Sequence, residues 1–369
     1  MIHKQLIIIG GGLGGLSLSI LLARAGWQVT VLEKGTYPRQ KVCGEYISKE
    51  SAPFLSRLGI DLVKAGAVSI DTFELTNPIS KPITTKLQKG AWGISRYTLD
   101  AMLYEKALEV GVCVETGVKV SQVECLAGGG YSVRTSTGTL YNTPWLVGGF
   151  GRISGLQPNR NKGRFFGVKY HVESGPKPNR IEIHVFSGGY CGVSAVGEGA
   201  YNLCFIGRSS DLKLCKGDLD TYMKEFMYGN PWLKERLESK KRFDPIKTAK
   251  IDMGVQSAMS LGYPLLGDAA GFIPPLTGNG MSLAFRSAQV LYTSIRELEN
   301  SRLPDNITLL KANQAYIQNY VAKRIRRGIF LQNVLFSDSR IAFPIVFPLL
   351  KHTPGLFSAL TQQAVGADF

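Results

Sequence analysis

The sequence predicts an α/β fold: a Rossmann-type dinucleotide-binding domain, an inserted mixed or antiparallel β-sheet domain, and helices at the C-terminal end. Three observations predict it. Residues 4–9 form a short apolar run that ends in glycines, residues 13–25 have helical composition and stop at Gly26, and residues 28–33 (QVTVLE) are β-branched and apolar. A buried strand, a helix closed by glycine and a second strand make a βαβ unit, whose crossover is right-handed. Further on, residues 112–147 and 164–208 read mainly as strands.

The chain has 369 residues, with 43 Lys+Arg against 28 Asp+Glu and a net charge of +15. Hydrophobic residues make up 44% and charged residues 19%, which excludes disordered, collagenous and heptad-repeat classes. Beyond ~250–300 residues a single core usually divides. Residues 1–75, 95–160 and 250–300 are expected to form the nucleotide-binding domain. Residues 76–94 and 161–249 are expected to form a substrate domain, and 301–369 a helical region.

In order, residues 35–48 read as a loop, and 69–75 and 82–87 as strands. Residues 97–110 carry apolar positions at helical spacing and end at Gly111. A hairpin turn is expected at 128–130. Four consecutive strands between 164 and 208 suggest an antiparallel sheet. Helices are expected over 219–228 and 231–239, a short strand over 263–267 and a helix over 281–298. The run 5–23 has no charge and is long enough to mimic a membrane span, but its five glycines argue for strand, turn and helix. No small-residue cleavage site follows it, so a secretory leader is not expected. The six cysteines form no CxxC pair and no metal-ligand spacing with the four histidines. They read as reduced thiols of a cytoplasmic protein, with no metal site.

The first motif is Gly10-Gly11-Gly12-Leu13-Gly14-Gly15, a GxGxxG between strand and helix. Gly10 permits the turn, Gly12 lets backbone approach a pyrophosphate, and Gly15 lets the helix pack close to the strand. Lys34 follows Glu33 at the end of the second strand. The Glu33 carboxylate is placed to accept both hydroxyls of an adenosine ribose. The second motif is Gly267-Asp268-Ala269-Ala270-Gly271, followed by Pro274, Pro275, Gly278, Asn279, Gly280 and Met281.

Together these fingerprints resemble the FAD-dependent superfamily of group A flavin monooxygenases (aromatic-ring hydroxylases), geranylgeranyl reductases and flavin halogenases. The resemblance implies that FAD is the cofactor and that Asp268 holds a ribitol hydroxyl. It also implies that the helix starting at Gly280 points at the flavin. Arg96, in Arg96-Tyr97-Thr98-Leu99-Asp100, matches the family's R-x-x-L-D segment and is a further cofactor-binding candidate; a surface salt bridge is the alternative. Residues 147–154 match the GADGxxS segment only in part, because Phe150 stands in place of the Asp. That departure bears on direct use of NAD(P)H, which stays a candidate electron donor. No second GxGxxG provides a separate NAD(P)H domain.

The stretch Pro38-Arg39-Gln40-Lys41-Val42-Cys43-Gly44-Glu45 resembles the P-R-x-K-x-C-G loop of the reductases, beside the flavin ring. Cys43 is therefore a catalytic candidate, with an inert buried thiol as the alternative. Tyr190 is a pocket candidate by position. The reductases' Y-x-W-x-F-P segment is matched only at Tyr190, and the halogenase W-x-W-x-I-P signature is absent. His171 and His184 read as core or surface histidines. The expected activity is a monooxygenase-like oxidoreductase acting on an apolar aromatic, polyketide or isoprenoid-like small molecule. Reduction of prenyl C=C bonds and a non-catalytic FAD-bound scaffold are the alternatives. Residues 301–369 hold eight Lys/Arg and three Asp. The cluster Lys323-Arg324-Ile325-Arg326-Arg327 precedes apolar segments, a pattern open to peripheral contact with an anionic membrane or to a packed helical lid. Nucleic acid is not an expected partner.

Overall fold

The computed structural model describes residues 4–152, 155–156, 163–251, 253–277, 280–299 and 305–336, with 347, 348 and 353. Gln5–Ile9 and Gln28–Glu33 form the centre of a four-stranded parallel sheet, flanked by Trp145–Gly148 and Cys113–Thr116. Between the first two strands lies the helix Leu13–Arg24. It packs with Arg96–Glu109 and Gly280–Glu299 through a core that includes Leu16, Ile20, Leu99, Leu103, Phe285 and Leu291. The charge-free run at 5–23 is thus strand, turn and helix, and among the described residues no helix is long and apolar enough to cross a membrane. A three-stranded antiparallel sheet (Val120–Cys125, Tyr131–Thr135, Leu140–Thr143) forms a second cluster with Ile7, Ile9 and Tyr263.

The larger sheet has eight strands, in the order Ile246–Ile251, Phe165–Val172, Ala200–Arg208, Gly189–Gly197, Arg180–Phe186, Val68–Thr76, Ile83–Gly93 and Tyr46–Ser48. Its neighbours are antiparallel except Arg180–Phe186 with Val68–Thr76, which run parallel, so the sheet is mixed. It takes in residues 46–48 and 68–76, N-terminal to the boundary read at 76. Backbone pairing draws them in: Phe73 registers with Ile181 and Tyr46 with Gly93. The short helices between 209 and 237 cover one face through Tyr222, Met227 and Leu233.

The strand expected at 263–267 is reduced to one bridge, Gly148 with Leu265. Pro264 brings no N–H to a ladder, and Gly267 turns the chain at φ +57° into a short 3-10 turn, Gly267–Ala269. In the C-terminal region, Asn306–Tyr316 and Ala322–Phe336 are helical. Of the apolar stretch 341–350, only Phe347 and Pro348 are among the described residues. Phe347 is buried against Ile70, Ile183 and Tyr190 of the large sheet.

Candidate functional site

At the carboxyl end of Gln5–Ile9 the chain turns through Gly10 at φ +103°, a conformation that favours glycine. A side chain there would also meet the Gly149 carbonyl at 2.4 Å. Gly15 is equally constrained, because a Cβ would lie 2.1 Å from the Gly10 carbonyl oxygen. Helix and strand therefore touch through bare backbone. Gly12 differs, since nothing lies within 4 Å of where its Cβ would be. It faces a cavity of about 690 Å³ that runs between the two sheets.

The walls of this cavity bring together Gly10, Gly12, Leu13, Gly14, Glu33, Lys34, Cys43, Arg96, Gly267, Asp268, Pro275, Gly280 and Met281. The two motifs, about 250 residues apart, share one site. Gly15 stays behind the wall in its packing role. Gly278 and Asn279 lie outside the described residues. Tyr190 does not border the cavity: it is 4% exposed and packs among Ile70, Ile183, Ile206 and Phe347. Burial pushes its hydroxyl well above the usual tyrosine range.

Glu33 sits at the end of its strand as expected, and its carboxylate is already engaged. Oε2 accepts the Gly11 N–H at 2.8 Å, and Oε1 accepts the Gly35 N–H at 2.8 Å and Arg39 Nη1 at 2.7 Å. A carboxylate offers about four acceptor sites. One is left on Oε2, enough for a single ribose hydroxyl instead of two. Burial alone would raise the Glu33 pKa, but Arg39, the Gly35 N–H and Lys41 together hold it below the usual value.

Arg96 lines the cavity and is also ion-paired. Its Nε and Nη2 reach Asp100 Oδ1 and Oδ2 at 2.6 and 2.9 Å, and Lys41 Nζ adds a third contact at 3.1 Å. The pair is buried, not a surface bridge, with Asp100 fully covered. Burial opposes the Asp100 charge, and the two cations outweigh that and lower its pKa. Cys43 is half-buried in the same wall; its Sγ accepts the Glu45 N–H at 3.4 Å, and its carbonyl accepts Asn202 Nδ2 at 3.1 Å.

Three wall features lie beyond the candidate binding residues read from the motifs. Glu45 is fully buried with φ +53°, and accepts Arg96 N at 2.6 Å, Lys169 Nζ at 2.5 Å and His171 Nε2 at 2.6 Å. Arg152 lines the cavity two residues beyond Phe150. Apolar walls come from Val42, Tyr46, Phe150, Phe272 and Ile273. The signal for Glu45 was its place at the end of the 38–45 loop. His184 is a core histidine: it bonds Thr76 Oγ1 at 2.7 Å and Glu182 at 3.1 Å, away from this cavity.

The donor set fits a dinucleotide bearing an extended ring. The Leu13–Arg24 helix begins at Gly12, has no acidic residue in its first turn, and offers free N–H groups to phosphates. Glu33 keeps one acceptor for a ribose. Asp268 lines the far wall with no hydrogen-bond partner among the described residues, and burial raises its pKa against the pull of Arg152, Arg96 and Lys41. A polyol hydroxyl would supply the missing bond.

Comparison with known proteins agrees. Residues 3–132 match the family model of the FAD binding domain, and FAD is the cofactor. The chain is 33% identical over 129 residues to the putative FAD-dependent monooxygenase YetM of Bacillus subtilis, an alignment covering 33% of this chain and 35% of YetM. Among solved structures, the flavin-dependent brominase Bmp2 superposes with a TM-score of 0.79 at 19% identity, covering 98% of this chain and 93% of Bmp2. Klebsiella pneumoniae HpxO complexed with FAD gives 0.78 at 17%, covering 98% of both chains. The chain spans 63%, 24% and 35% of the first three curated relatives it matches. Residues 3–132 thus match the FAD binding domain family, and the chain as a whole shares its fold with flavin-dependent halogenases and FAD-binding proteins of known structure.

Proposed function

We propose that this protein is a monooxygenase-like FAD enzyme acting on an apolar aromatic, polyketide or isoprenoid-like small molecule. One observation carries the reading: a single cavity is lined at once by the dinucleotide glycines, by Asp268 and by the apolar side chains of Val42, Tyr46, Phe150, Phe272 and Ile273. Bound there, FAD supplies electron transfer and oxygen activation. The protein's part is to hold and shield. Gly12 and the helix start bind phosphates, and Glu33 and Asp268 accept hydroxyls. The Gly280–Glu299 helix brings its positive end to the wall through Gly280 and Met281, where it favours the charge of a reduced ring. The apolar wall keeps water from the reacting centre.

NAD(P)H remains a candidate donor of electrons, delivered directly or through a separate reductase, since Phe150 replaces the family's acidic residue. The exposed stripe Lys323, Arg326, Arg327 and Phe330 on the Ala322–Phe336 helix supports peripheral contact with an anionic membrane as a route for a lipophilic substrate.

The test is product mass after turnover of the reduced holoenzyme with a panel of aromatic and prenyl substrates. Gain of one oxygen atom in air, with halide absent, supports the proposal. Halogen incorporation when bromide or chloride is added would make it a halogenase, as the relatives allow. Anaerobic addition of two hydrogens would make it a prenyl reductase. No product with any substrate would leave an FAD-bound scaffold.

A further inference from the structure

Arg152 stands at the seam between the two sheets. It follows the last strand of the parallel sheet, Trp145–Gly148, where the backbone of Gly149 and Phe150 presses against Gly10. From there its guanidinium crosses to the edge of the large sheet, where Nη2 donates to Thr248 Oγ1 at 2.9 Å. The group also lies 4.8 Å from the centre of the Phe272 ring. Thr248 and Phe272 both line the cavity, as Arg152 does. Nη1 is out of solvent and meets no acceptor among the described residues.

This arrangement is unusual for an arginine in a protein wall. The other half-buried cations of the cavity are matched: Arg39 by Glu33, and Arg96 and Lys41 by Asp100. Among the described residues Arg152 has no ion pair within contact distance, and Asp268 acts on it only through space. Burial works against its charge. A guanidinium carries five N–H donors and strongly favours bidentate pairing with carboxylate or phosphate. A buried donor left unpaired is costly, so a side chain of this kind is completed by what enters beside it.

We propose that Arg152 is an anion-binding residue of this cavity, receiving an oxygen of a phosphate or carboxylate through its unpaired edge. The anion has two sources, the FAD pyrophosphate or an acidic group on the substrate. The cofactor source rests on the flavoenzyme reading.

The experiment compares wild type, Arg152→Gln and Arg152→Lys. Circular dichroism and thermal melting first establish that each variant folds, and Arg152→Lys keeps the charge if Arg152→Gln does not fold. Binding of FAD and of riboflavin, which lacks phosphates, is measured by fluorescence. Binding of benzoate and decanoate against benzamide and decanamide is read from the flavin absorbance of the holoprotein. If the partner is the pyrophosphate, Arg152→Gln weakens FAD about tenfold or more and leaves riboflavin unchanged. If it is a substrate acid, FAD binding holds and the preference for carboxylate over amide disappears. FAD affinity unchanged, together with the same carboxylate-to-amide ratio or no carboxylate preference in wild type, overturns the proposal. Failure of wild type to bind FAD would instead overturn the flavoenzyme reading, a separate result.

Discussion

The Glu45 carboxylate and the Lys169 ammonium lie 2.5 Å apart, and both side chains are fully buried. They are 124 residues apart in sequence, one in the loop beside the cavity and one in the middle of Phe165–Val172. Lys169 also donates to Gln40 Oε1 at 2.7 Å. The pair and its neighbours clamp the 40–45 loop, with Cys43 in it, onto the large sheet.

Removing one member strands the other charge out of water. Glu45→Ala is expected to lower stability by about 3–5 kcal/mol in urea unfolding. The double change Glu45→Gln with Lys169→Met is expected to recover most of that loss. A small effect of Glu45→Ala would show that the pair does not hold the loop.

Cys43 borders the cavity and is half-buried, while Cys113 and Cys125 are exposed. Iodoacetamide labelling mapped by mass spectrometry should modify Cys43 in the FAD-free protein and spare it when FAD is added. Cys113 and Cys125 should react equally in both. In Cys43→Ala, FAD content should hold while turnover changes. An altered melting temperature at unchanged turnover per folded enzyme would assign the thiol to packing alone.

Glu182 supports the large sheet through Arg236 Nε at 2.9 Å and His184 at 3.1 Å. Burial opposes its charge, but His184 and Arg236 outweigh that and bring its pKa to about 2 from 4.5. A carboxylate lowered on folding stabilises the protein above its unfolded pKa. That stability, on the order of 3 kcal/mol, is fully present above about pH 4.5 and is lost as pH falls toward 2. Unfolding of Glu182→Gln should therefore depend less on pH across this window than wild type does. Parallel curves would remove Glu182 from the acid response.

Lys323, Arg326, Arg327 and Phe330 recur at spacings of three and four, and all are exposed, Phe330 at 72%. Three cations contribute about 1 kcal/mol each at an anionic surface, with the phenyl ring adding apolar contact. Co-sedimentation with vesicles containing phosphatidylserine should fall with salt and with Phe330→Ala. Binding that ignores lipid charge, or no binding, would leave the helix as a packed lid.

The nucleotide half was legible because its signals are local. Gln28–Glu33 matches the residues read as a strand, Gly10 makes the turn and Gly15 the close helix–strand contact that their spacing implied, and Gly12 leaves open space beside it. The rest depended on distant pairing. Nothing near Lys169 in sequence announces Glu45, and Arg152 became notable only once Thr248 and Phe272 were placed beside it. Strand Val68–Thr76 has ordinary alternation, so only its register with Arg180–Phe186 assigns it to the large sheet. Tyr190 was read by position, and its side chain turned into the apolar cluster.

The central claim is that the glycine turn and Asp268 hold one FAD between the two sheets. Titration of the purified chain with FAD, followed by flavin fluorescence and absorbance, tests it most directly. Saturation is expected at one FAD per chain. Asp268→Ala should weaken it about tenfold or more, the loss of a hydrogen bond to a charged group. Gly10→Val, which would meet the Gly149 carbonyl, should abolish it. No saturable binding by a folded wild-type chain, or equal affinity in all three proteins, would contradict the account.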